Sequence, residues 1–200
     1  MEGVGGFTQV VGQDLRPAVL RRRLDRFREA HQLADENFGG LERRKVPQLS
    51  AGQHQPKRTI RVLLAGAEET GLWGSKAYSE AHPGEAIAVG LESDFGADRI
   101  WRFDSNFRQS NPDLHKRIAA AVARFGVSSG SDVATGGADL NIVRDQQGAL
   151  VDLQQDGTRY FDLHHTPDDT LDKIDIAQLR QNVAVWTTVV GILAGEETAI

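Results

Sequence analysis

Two adjacent glutamates, Glu68 and Glu69, follow the apolar run TIRVLLAG. Asp94 follows a second apolar run, AIAVGLES. Two adjacent histidines, His164 and His165, stand in YFDLHHTPDDT, downstream of a third run, ALVDL. A histidine and two carboxylates drawn from the ends of separate strands can hold a metal ion. Nitrogen and oxygen donors without sulfur suit zinc in a catalytic role, with one position open to water. Adjacent carboxylates can then divide the labour. One binds the metal, and the other stays free to take a proton from the activated water. Each pair also has a plainer reading. Two glutamates opening a loop are commonly both solvated, and a histidine pair before Thr-Pro can simply order a turn.

The elements that must position these groups are legible from residue 59 onward. The run 59–66 is β-branched and apolar, as a strand buried on both faces would be. Residues 75–82 suit a short helix ended by Pro83-Gly84, and 86–93 suit a second buried strand. RIWRFDS, 99–105, alternates as a strand at a sheet edge does. Asn111 can cap a helix that has Pro112 in its first position and runs to Gly126. A Gly/Ser-rich loop follows, then a short strand at 149–153, then a helix capped by Asp175 and apolar around most of its circumference. Strands alternating with helices predict an α/β layered domain, in which functional groups gather beyond the carboxyl ends of the strands.

Upstream the character differs. Residues 14–36 carry Leu20, Leu24, Phe27 and Leu33 at helical spacing and predict an arginine-rich amphipathic helix; 37–58 read as a loop. Residues 1–58 hold 11 Lys/Arg against 7 Asp/Glu, net +4, whereas the remainder holds 12 against 21, net −9. The break near Gln55-Pro56 predicts a boundary between 1–55 and 56–200.

The 200 residues, 40% apolar and 26% charged, suit one globular domain with a real core. With no cysteine, disulfides and thiolate metal sites are excluded. A net charge of −5 gives no general reason to expect nucleic acid, although the arginine helix alone could touch an acidic partner. No apolar run is long enough for a membrane helix, and no signal peptide is visible.

Four motifs in order, TIRVLLAGAEETGLWGSKAY, LESDFGA, GGADL and QDGTRYFDLHHTPDDTLDKID, resemble the M28 family of zinc peptidases, in its carboxypeptidase Q-like branch. The resemblance runs from about residue 56 to about 195. It implies a three-layer α/β/α sandwich around a mostly parallel mixed sheet, and two zinc ions hydrolysing short peptides. It also implies Glu68 as general base, Glu69 and His165 as ligands of one zinc, and Asp94 as a ligand of the second. Asp169 would steady the histidine turn, or merely cap it. Gly136, Gly137 and Asp139 would line the substrate pocket. Peptide is then the partner, with neither nucleic acid nor membrane, and a homodimer is compatible with the family. Relatives are often exported, but with no signal peptide visible localisation stays open.

The resemblance stops short of residues 1–55. The family has two further ligand positions upstream, a histidine in a His-x-Asp motif and an aspartate bridging both ions, and neither motif occurs in residues 1–58. His31 and Asp35, four apart, are the nearest substitutes. The family's first strands are expected to be lacking. A second expectation therefore stands beside the exopeptidase: an inactive or single-zinc remnant serving as a binding or oligomerisation module.

Overall fold

A computed structural model of the chain describes residues 7–12, as backbone, and residues 56–200 apart from 198. The expected arginine helix, most of the expected loop, His31 and Asp35 lie outside the described residues. The strands are β1 (Phe7–Gly12), β2 (Thr59–Leu64), β3 (Ile87–Ser93), β4 (Ile100–Ser105), β5 (Ser128–Ser129) and β6 (Ala149–Gln155). The helices are α1 (Trp73–Ala81), α2 (Pro112–Ala123), α3 (Asn141–Asp145), α4 (Tyr160–Leu163) and α5 (Ile176–Gly195), with a 3-10 turn at Leu171–Lys173.

The strands form one mixed sheet in the order β2-β1-β3-β6-β4-β5. β1 is antiparallel to both β2 and β3, β3 is parallel to β6, and β6 is antiparallel to β4. It follows that β2, β3 and β6 all run in one direction. Their carboxyl ends, which precede Glu68, Asp94 and the histidine pair, open on the same edge of the sheet. That shared direction is what brings residues so distant in sequence into one neighbourhood.

Each face of the sheet has its own core. On one face Val89, Leu91, Phe103, Val151 and Leu153 pack with Ile118 and Val122 of α2 and Val185, Val189 and Leu193 of α5. On the other, Leu150 and Ile87 pack with Leu140 and Val143 around α3, and with Tyr78 of α1. The alternation Ala149-Leu150-Val151 along β6 serves both, as a strand covered on two sides must. Both expected caps are present. Asn111 accepts from Leu114 N, and Asp175 accepts from Ala177 N and Gln178 N. Each such cap contributes about 1 kcal/mol.

Three expectations need correction. β2 is not buried on both faces: as the terminal strand of the described sheet it leaves Ile60 42% and Leu64 66% exposed. β4 is not the edge, because Ser128 and Ser129 of the Gly/Ser-rich loop pair with Arg102 and Phe103 as β5. α1 begins at Trp73 rather than Ser75.

Candidate metal centre

The turn after β2 is wound tightly. The carbonyl of Glu68 accepts from Gly71 N at 3.0 Å and Leu72 N at 2.9 Å, and Gly66 O accepts from Gly74 N at 2.9 Å. Ala67 and Leu72 both take left-handed backbone conformations, φ 57 and 59. A Cβ on Gly74 would lie 2.5 Å from Gly66 N, so only glycine lets α1 start this close to the strand end. The turn leaves Glu69 exposed and Glu68 half-buried at its head.

The histidines arrive from α4. Residues 160–163 make one helical turn, after which His165 sits at φ 60. A column of rings holds the pair: Phe95 stacks on Tyr160 at 3.9 Å, Tyr160 on His164 at 4.6 Å, and His164 on His165 at 3.6 Å. At its end His165 Nε2 lies 2.7 Å from Glu69 Oε1.

Among the described residues, Glu69, His164 and His165 offer donor atoms that all lie within 4.8 Å of one another. Asp94 lies outside that tight group, although its charge reaches it. Partial burial pushes the Asp94 carboxyl up, Glu69 and Asp139 push it further, and His164 opposes. The Glu68 carboxyl is likewise raised, first by burial, then by Asp94, Glu69 and Asp139, with His165 opposing. Asp139 is 2% exposed, and among the described residues its Oδ1 has no hydrogen-bond partner. Among the described residues no lysine or arginine forms an ion pair with Glu68, Glu69, Asp94 or Asp139. Crowded carboxylates, two imidazoles and an orphaned buried oxygen make a donor set that fits a divalent cation.

Asp169 lies in the turn after the histidines, where its N–H donates to Thr166 O at 3.2 Å, and its charge reaches Tyr160. Gly136 and Gly137 are consecutive left-handed residues, φ 85 and 86, on the loop that leads to Asp139.

Three residues escaped the reading of the sequence. Tyr160 stands in the ring column, and its hydroxyl is raised by burial and by Asp94, Glu69, Asp169 and Glu68. Glu92 accepts from Ala138 N at 3.1 Å and Asp139 N at 2.8 Å, while burial still pushes its carboxyl up to about 7. Asp152 accepts from Thr135 N at 2.9 Å and Gly136 N at 2.8 Å. The available signal for the last two was a carboxylate at a strand position that alternation assigns to the covered face.

Comparison with known proteins bears on the family and the fold. The sequence pattern of peptidase family M28 matches residues 45–190. Carboxypeptidase Q of Rattus norvegicus is 27% identical over 145 residues, 72% of this chain and 30% of that protein. Carboxypeptidase Q of Bos taurus is 28% identical over 148 residues, with the same coverage. The crystal structure of a peptidase M28 precursor from Shewanella amazonensis SB2B superposes with a TM-score of 0.66 at 35% identity, covering 74% of this chain and 34% of that one. The chain thus spans under a third of the length of the two carboxypeptidase Q proteins.

Proposed function

The chain belongs to peptidase family M28, and from that premise we propose that it is a zinc-dependent exopeptidase acting on short peptides. The observation that carries this reading is the split between the paired glutamates. Glu69 meets His165 at 2.7 Å within a compact donor group, whereas Glu68, next in the chain, stands outside that group.

Glu69 and His165 would hold one ion, with His164 beside them. Asp94 would serve a second, and Asp139 faces the same acidic neighbourhood. Bound zinc supplies polarisation of the scissile carbonyl and charge stabilisation at its oxygen. The remaining work falls to the chain. Glu68 accepts a proton from the attacking water and returns it to the departing amine. The turn 66–74 keeps that carboxylate at the rim. The loop 135–139 forms the wall against which the peptide is received. The peptidase-like domain on this reading is 56–200, and among the described residues before it β1, Phe7–Gly12, joins its sheet.

A specific observation favours a reduced version of the same reading. Among the described residues the mutually close donors amount to one ion's set, Glu69, His164 and His165. Metal content separates the two versions. The full-length chain is stripped, reloaded with excess zinc, desalted and measured by elemental analysis. Two zinc ions per chain support the two-metal exopeptidase. A single ion supports the one-zinc remnant, and none removes the metallopeptidase reading.

A further inference from the structure

β3 and β6 are parallel neighbours, with Leu91 opposite Val151. Both of those side chains belong to the core shared with α2 and α5. One residue further along each strand, Glu92 and Asp152 therefore point to the other face, side by side. Each carboxylate there accepts two consecutive backbone N–H groups. Asp152 takes those of Thr135 and Gly136, and Glu92 takes those of Ala138 and Asp139. The pair brackets Gly137. Arg144 supplies the opposite polarity, donating from Nη1 to Thr135 O at 2.9 Å and to Gly137 O at 2.6 Å.

The loop is thus tied by acidic and basic side chains at four N–H positions and two carbonyls, and its consecutive left-handed glycines permit that geometry. Space is as restrictive as bonding. A Cβ on Gly137 would come 2.6 Å from the Glu92 carboxyl carbon. A connecting loop needs no such apparatus, since backbone pairing or water satisfies ordinary loops. What the loop delivers is Asp139, buried and with one carboxylate oxygen unpartnered among the described residues.

We propose that Glu92 is a positioning residue of the site: by holding the N–H groups of Ala138 and Asp139 it fixes the 135–139 loop, so that the Asp139 carboxylate and the peptide wall are in place before a substrate arrives. This rests on the peptidase reading above. Asp152 anchors the near half of the same loop, and Glu92 anchors the half that carries Asp139.

Two variants of the full-length, zinc-loaded chain test it by different routes. Glu92→Gln keeps the side-chain shape but turns an amide NH2 toward one of the two N–H groups. Gly137→Ala leaves Glu92 intact and forces the loop off it. Amide hydrogen exchange reads the clamp, and hydrolysis of a short peptide reads its use. In both variants, exchange at Ala138 and Asp139 is expected to quicken about tenfold or more, while buried amides of β4 are unmoved. The turnover number should fall about tenfold or more, with KM changing much less. Unchanged exchange at Ala138 and Asp139 in Glu92→Gln would overturn the clamp itself. Faster exchange with full turnover would overturn its role in the reaction. If the unmodified chain hydrolyses no peptide, the peptidase reading fails and takes the catalytic half of the proposal with it; exchange still decides the clamp.

Discussion

His115 and His165 are the same side chain put to opposite uses. His115, on α2, is 4% exposed, with Nδ1 2.9 Å from Ser105 Oγ and Nε2 2.9 Å from Ser129 Oγ. Its ring lies 4.9 Å from that of Phe103 in the main core. Burial holds its pKa down, Arg108 lowers it further, and Asp104 opposes. His165 is exposed, sits at a left-handed φ of 60, and meets a carboxylate of a cluster that, among the described residues, no lysine or arginine pairs with. Such a backbone conformation costs about 1 kcal/mol or more in a residue that is not glycine. One ring is fully satisfied and strengthens the fold. The other takes a strained backbone conformation beside an exposed carboxylate, where its contact with Glu69 adds little to stability, an arrangement that suits the ligand role proposed above.

The sharpest way to break this contrast lies beside His165. Glu68→Gln should lower peptide hydrolysis by about 10²- to 10⁴-fold, because it removes the proposed general base. Zinc retained on the variant, measured by elemental analysis, should match the unmodified chain; an equal loss of metal would make Glu68 a ligand instead. His165→Ala should weaken zinc binding by about 100-fold or more in a chelator competition, beyond what an outer-shell change causes. His164→Ala should weaken it less, and His115→Ala hardly at all. A larger effect from His164 would exchange the roles of the stacked pair.

At His115 the effect falls on stability and not on zinc. His115→Ala should cost about 2–4 kcal/mol in a denaturant melt, since it opens a cavity and strands two hydroxyls. Its pH behaviour follows from the sign of the shift. The folded pKa is depressed, so the unfolded chain binds the extra proton first. The stabilisation is complete above about 6.5, the unfolded value, and is lost as pH falls below it toward the folded pKa. Melting temperature against pH should therefore decline below that point more steeply in the unmodified chain than in His115→Gln. Parallel curves would remove the titration from His115.

Much of this contrast could be read from residue order, and part of it could not. β3 and α5 announce themselves, the first by an unbroken apolar run and the second by Asp175 before a long apolar stretch. The M28 resemblance rests on motifs that read out directly, and the family match and the mixed α/β sheet agree with it. β1 was not legible. FTQVVG is short and unremarkable alone, and its place between β2 and β3 is decided by pairing with residues about 50 to 85 positions away. The ring column was hidden for a similar reason, because Phe95 and Tyr160 become neighbours only after β6 lies against β3. Glu92 stands only two residues before Asp94, and Asp152 is a single polar break in the apolar run ALVDL. Both owe their importance to a loop that no local pattern connects to them.

The contact between Glu69 and His165 spans 96 residues of chain. Nothing local brings the two together; they meet only when β2, β1, β3 and β6 have all joined in register. Closing so long a loop is slow compared with forming a hairpin or a helix. On that ground the donor group is expected to assemble late in folding. Capture of a metal ion would then act as a clock for completion of the sheet, and a partly folded chain would have nothing with which to hold it.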